Sequence, residues 1–260
     1  MQSPLERMLD ASLKIAPASY YYTVNLNGVQ IGGAMSSVDT ADKRIVTTDM
    51  FTGRYPVAGD TLSMTVRTNA TYSRALLLKD FGIKLEGDLI PGTLLGETTG
   101  DSVLVVVNLP QKNVVRAGQD SVWRRRYKLA SPPFTLTFAP IVGMLTKKRN
   151  AGDTIHVSVF DPLSRELKLV TIQVREDSLF HVADSAILDR KTGTWSEAGI
   201  DTVRARRLGG DGAPLTVWVD DEGRIVAASE PGGITMIRAP FEIAFRRKQT
   251  PADSTAGKTK

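Results

Sequence analysis

Cysteine is absent from the 260 residues, and its absence removes disulfide staples, thiolate zinc sites, iron–sulfur clusters and every Cys–His nucleophile. The compartment stays open on that ground, because a domain of this size holds together without bridges. Histidine is nearly absent too: His156 and His181 are the only two. A hydrolytic triad needs a histidine within reach of a nucleophile and an orienting acid, and no Gly-x-Ser-x-Gly elbow accompanies either one. His156, between Ile155 and Val157, falls on the exposed face of a half-buried strand, and His181 follows Phe180 near a strand end. Neither is assigned a catalytic role, so no enzymatic activity is expected. Long apolar runs are missing as well, none approaching the roughly 18 residues of a membrane helix. The N-terminus, Met1-Gln2-Ser3-Pro4-Leu5-Glu6-Arg7-Met8, lacks the apolar core of a signal peptide.

What remains is an ordinary globular composition, 42% hydrophobic and 23% charged, which excludes a disordered or collagen-like chain. Lys and Arg total 33 against 28 Asp and Glu, a net +5, which favours anionic surfaces without demanding nucleic acid.

The local grammar is strand and turn. Tyr20, Tyr22, Val24 and Leu26 alternate with Tyr21, Thr23 and Asn25, and Asn27-Gly28 then turns the chain into Val29 and Ile31. Aromatic and β-branched residues at period two around that dipeptide predict a hairpin with a type I′ turn. Further strands are predicted over 45–50, 62–67, 75–78, 103–109, 121–129, 155–160, 167–174, 203–207, 215–219 and 224–228. Helical spacing is confined to Leu5, Met8, Leu9, Ser12 and Leu13, with Pro17 closing it. The expected organisation is an N-terminal helix and lead-in over 1–19, a single β domain over 20–247 and a disordered tail over 248–260, which has no apolar anchor.

A-G-D-T-L-S-M-T-V from Ala58 returns as A-G-D-T-I-H-V-S-V from Ala151. Either a half-domain is duplicated or Gly-Asp-Thr is simply good chemistry for a turn that feeds a strand.

The segment from Ser131 to Leu145 is apolar yet carries Pro132, Pro133 and Pro140, which keep it out of a central strand. It is either a connection packed on a sheet or a lid presenting Phe134, Phe138, Ile141, Met144 and Leu145 to an apolar ligand. Lys147, Lys148 and Arg149 follow at once and would form a basic rim. Other basic clusters are Arg124-Arg125-Arg126, Arg204 with Arg206-Arg207, and Arg246-Arg247-Lys248. Aromatic interleaving is too poor for a single-strand stacking platform, so charged strand faces explain them better than nucleic acid does. Asp220-Asp221-Glu222 lacks the further oxygens of a calcium loop and is followed by Gly223, which makes it a hairpin turn and not a metal site. No phosphate loop or dinucleotide fingerprint occurs, and no cofactor is expected.

Three stretches carry a resemblance: Y-T-V-N-L-N-G-V-Q-I-G from Tyr22, A-G-D-T-I-H-V-S-V-F-D-P from Ala151, and W-V-D-D-E-G-R-I-V from Trp218 running on to Arg238. Together they resemble the β-rich envelope domain found upstream of bacterial transglutaminase-like cores and in related uncharacterised periplasmic proteins. Cysteine-dependent catalysis is not carried over, since the chain has none. The resemblance implies export to the periplasm or cell envelope, with the missing leader reflecting trimming or a wrong start site, and a role as a binding or accessory module. A lipid-like ligand on a concave apolar face is the expected partner. A protein–protein scaffold using an exposed sheet edge, or an accessory partner of a transglutaminase-like protease, is the alternative. The expected fold is an all-β domain built on a large curved antiparallel sheet, an open half-barrel like the lipoprotein-carrier folds, with one short N-terminal helix.

Overall fold

The structure, a computed structural model, describes residues 16–41, 44–57, 59–74, 77–88, 91–109, 122–128, 150–161, 166–210 and 216–245. The expected N-terminal helix and the tail over 248–260 lie outside these residues. The strands are β1 (Ala18–Leu26), β2 (Val29–Ala41), β3 (Arg44–Val57), β4 (Asp60–Ser73), β5 (Leu78–Gly87), β6 (Gly92–Thr99), β7 (Ser102–Asn108) and β8 (Val122–Lys128). They continue as β9 (Thr154–Asp161), β10 (Glu166–Asp189), β11 (Thr194–Gly209), β12 (Thr216–Val219), β13 (Ile225–Ser229) and β14 (Ile234–Arg238), followed by one helical turn, α1 (Phe241–Phe245).

The predicted all-β architecture is present as one open antiparallel sheet of 14 strands. Asn27 (φ 50) and Gly28 (φ 83) both adopt the left-handed conformation that a type I′ turn requires. The sheet order is β8-β7-β6-β5-β4-β3-β2-β1-β14-β13-β12-β11-β10-β9. Each strand therefore lies beside its neighbour in the chain, with one exception: β1 and β14 pair in the middle, Tyr22 opposite Arg238 and Val24 opposite Met236. β8 and β9 are consecutive in the chain yet form the two edges. An up-and-down barrel would close by pairing them; here the sheet stays open.

With a single helical turn against it among the described residues, the sheet buries an apolar face by curling over it. That concave side holds two apolar clusters. One gathers Tyr22, Val24 and Ala34 with Ile172 and Leu208, the other Val38, Ile45, Tyr72, Phe81 and Val105. Tyr21, on the other side of β1, meets α1 through edge contact with the Phe241 ring, centroids 5.2 Å apart. A third, smaller cluster of Val182, Ala205 and Val226 also sits on the convex side, where Trp218 alternates with the inward Val217 and Val219. The Phe180 ring packs against Trp218 at 5.7 Å.

Two features depart from the sequence reading. β5, β6 and β14 were not predicted; of the strand expected over 75–78, residues 75 and 76 lie outside the described residues and Leu78 opens β5. Glycine hides β5 and β6: Gly82, Gly87, Gly92 and Gly96 dilute their strand character. In the fold these residues admit close neighbours, and a Cβ at Gly96 would run into the Phe81 ring. Gly96→Ala is therefore expected to cost roughly 1–3 kcal/mol through overpacking, read as a lowered urea midpoint. An unchanged midpoint would mean that Phe81 has room to swing.

The second departure is length. β10 runs 24 residues and β11 runs 16, against predicted stretches of 167–174 and 203–207. Beyond Asp177 and Arg206 the two strands pair, among the described residues, only with each other, forming a two-stranded ribbon that extends roughly 40 Å at strand spacing. Of the repeated Ala-Gly-Asp-Thr motifs, the first leads into β4, inside the sheet, and the second into the edge strand β9. Gly59 and Gly152 both have positive φ, 89 and 96, as the turn reading expects.

Candidate functional site

On β3, period-two alternation places Ile45, Thr47, Asp49 and Phe51 on the concave side. Ile45 belongs to one apolar cluster, and Phe51 packs against the other. On β2, Ala34 and Val38 belong to different clusters in the same way, with Ser36 between them. Ser36 lies directly opposite Asp49, and Val38 opposite Thr47. A short polar row of Ser36, Thr47 and Asp49 thus separates the two apolar clusters. It stands on strands near the centre of the sheet order.

The row is not internally satisfied. The Ser36 hydroxyl donates to Asp49 Oδ1 at 2.6 Å. Asp49 Oδ2 and Thr47 Oγ1 are closed to solvent and have no hydrogen-bond partner among the described residues. Burial pushes the Asp49 carboxyl up to about 6, against a smaller opposing pull from the Ser36 hydrogen bond. Burial likewise drives the Tyr22 phenol above its ordinary range, with Arg238 pulling it back and Asp49 adding to the rise.

A raised carboxylate pKa means that the folded chain holds the Asp49 proton more tightly than the unfolded chain does. Ionisation of Asp49 therefore opposes folding. Its contribution is most favourable below about pH 4 and is lost as pH rises toward about 6. The loss is on the order of 2–3 kcal/mol, from the size of a two-unit shift. Urea melts at both ends of that window should show wild type losing more stability than Asp49→Asn as pH rises. Equal losses would show that Asp49 titrates as an ordinary carboxylate.

A second polar cluster is fully paired. Asp220, 3% exposed, closes the β12–β13 turn. Its Oδ1 accepts the backbone N–H groups of Glu222 at 3.1 Å and Arg224 at 2.9 Å. Its Oδ2 accepts Arg224 Nε at 2.7 Å and Arg238 Nη1 at 3.1 Å. The Arg238 guanidinium also lies 6.0 Å from the centroid of the Tyr20 ring. The acidic turn is thus a structural knot, as its Gly223 suggested, and among the described residues no group of three metal-ligating side chains occurs.

The histidines are exposed and apart from this row. His156 Nδ1 lies 3.2 Å from Thr171 Oγ1 and His181 Nδ1 lies 3.3 Å from Thr202 Oγ1, each across a strand pair. Of the basic clusters, Arg124, Arg125 and Arg126 lie exposed on the edge strand β8. Arg204 pairs with Asp177 at 2.5 Å and Arg206 with Asp221 at 2.8 Å. The segment carrying Phe134, Phe138, Ile141, Met144, Leu145, Lys147, Lys148 and Arg149 lies outside the described residues. No described helix is long and apolar enough to cross a membrane.

The polar row was missed at the level of sequence, although its signal is there: Asp49 stands in phase with Ile45 and Phe51, an acid where the alternation demands an apolar residue.

No family model matches the chain, and no curated protein matches it. A solved structure from Brucella abortus, a beta-barrel-like protein of domain of unknown function DUF1849, is similar at a TM-score of 0.50 and 15% identity. The match covers 86% of this chain and 94% of that one. A protein of the DUF1089 family from Pseudomonas aeruginosa matches at a TM-score of 0.38 and 8% identity, over 77% of this chain and 90% of that one. The first of these likenesses extends to the fold, a large β-barrel-like sheet.

Proposed function

We propose that this chain is a non-enzymatic binding or accessory domain of the bacterial cell envelope, and that it takes an amphiphile on the concave side of its sheet. The observation that carries this reading is the polar row of Ser36, Thr47 and Asp49 set between two apolar clusters. Apolar side chains suit a hydrocarbon tail, and a small number of buried polar atoms suits the orientation of a polar end. Placement in the envelope rests on the resemblance of the Tyr22, Ala151 and Trp218 stretches to the domain upstream of transglutaminase-like cores.

Native mass spectrometry on the purified chain tests the binding role. Lipid-sized adducts that organic extraction removes are the expected result. A bare mass, together with no uptake of a fluorescent fatty acid, would reject it. A scaffold role is the second reading, favoured by the edges of β8 and β9, which pair with no further strand among the described residues. A bare mass combined with a partner recovered by pull-down, and lost on placing proline in β9, would select that reading instead.

A further inference from the structure

We infer that Asp49, with Thr47 and Ser36, forms a recognition site for a primary ammonium group carried on an apolar tail. This inference rests on the amphiphile-binding reading above and names the chemistry of the polar end.

The site has two acceptor atoms, Asp49 Oδ2 and Thr47 Oγ1, that are screened from solvent and left without partners among the described residues. A carboxylate oxygen removed from water without a donor is costly, and a charged donor compensates it best. An ammonium group supplies three donors and one positive charge, enough for Asp49 Oδ2 and the Thr47 hydroxyl together. No described Lys or Arg already fills this role. Arg238, the cation turned toward Tyr22, is held by Asp220 at 3.1 Å. The groups facing Asp49 from the neighbouring strands are Ser36 on β2, Thr68 on β4, and Tyr22 and Tyr20 on β1, with Arg238 beyond them on β14. Near neutrality only Asp49 among these brings an uncompensated charge. A tail continuing from the ammonium meets apolar side chains on either side, toward Phe51 and Ala34 or toward Ile45 and Val38.

The global charge makes the inference discriminating. At net +5, non-specific attraction favours an anionic amphiphile, whereas the local site favours a cationic one. Isothermal titration of the full chain with dodecylammonium and dodecyl sulfate, both below micelle formation, sets the two against each other. Lysophosphatidylethanolamine forms a third arm and separates a phospholipid headgroup from a simple amine, either of which carries the shared chemistry.

At about pH 7.5, dodecylammonium is expected to bind at least roughly tenfold tighter than dodecyl sulfate, a difference on the scale of one good charge-assisted contact. Asp49→Asn should abolish that preference, and Thr47→Val should weaken it. Lowering the pH to about 5 should weaken ammonium binding to wild type as Asp49 takes up its proton, while the unliganded chain becomes no less stable. The pH arm needs no variant and keeps the test open should Asp49→Asn fold poorly.

Equal binding of the two dodecyl probes, or a preference that survives Asp49→Asn and low pH, would overturn the ammonium site and leave amphiphile binding standing. Failure of all three probes to bind, with no lipid adduct in the native mass spectrum, would overturn both.

Discussion

Asp220→Ala is expected to lower stability by about 3–5 kcal/mol, the scale seen when one partner of a buried ion pair is removed. Asp220 is 3% exposed and accepts two backbone and two guanidinium hydrogen bonds. Its loss strips the β12–β13 turn of its anchor. It also leaves Arg238, whose side chain is 15% exposed, without an anion. For a chain of this size the melting temperature should fall by roughly 10 °C. Asp221→Ala is the matched control, because Asp221 is 68% exposed and its bond to Arg206 lies at the surface. It should change stability by about 0.5 kcal/mol or less. Comparable losses in the two variants would show that the turn sequence matters and the buried carboxylate does not.

Leu208→Ala should produce a loss of about 2–5 kcal/mol, the range for deleting most of a buried leucine side chain. Leu208 is 0% exposed. It pairs with Val174 on one side and Val217 on the other, where β10, β11 and β12 join the body of the sheet. Farther along the same hairpin, Ile187 is 61% exposed and sits in the ribbon that only β10 and β11 share. Ile187→Ser should cost no more than about 0.5 kcal/mol in global stability. Denaturant melts of the two variants therefore test where the concave core stops along a single pair of strands. A large loss at Ile187 would mean that the ribbon packs against something in solution.

Residues with strong local physics were the readable ones. Asn27-Gly28 demanded its turn wherever the hairpin lay, and Asp220-Asp221-Glu222-Gly223 did the same. The alternation of Tyr20, Tyr22 and Val24 declared the face of β1 that joins the core. β5 and β6 stayed hidden because their glycines are explained by a neighbour far along the chain, as Gly96 is by the Phe81 ring. The outer ribbon stayed hidden because apolar residues fall on both of its faces, Leu179, Ile187 and Ile200 on one and Leu188 beside Asp184, Glu197 and Asp201 on the other, which blurs the period-two signal. Asp49 was overlooked for a different reason. Within Thr47-Thr48-Asp49 it reads as ordinary strand-surface chemistry until β2 and β4 flank it and the curvature of the sheet closes over it.

The pairing of β1 with β14 bears on how the chain acquires its structure over time. Nearly every other contact between strands is a hairpin that can form as soon as its two arms exist, which favours rapid local assembly. Leu26 must instead wait for Ile234, and Tyr22 for Arg238. A nascent chain can therefore build β1 through β8 and later β9 through β13 as two separate meanders, with β1 and β13 each left with an unmatched strand edge. Only the arrival of β14 joins them and shelters Tyr22. Until then both halves are exposed to mispairing and aggregation. A chain of this topology gains from being kept apart from its neighbours until its last strand is delivered, and the slowest phase of refolding should respond to changes at Met236 and Val24 more than to changes in any hairpin turn.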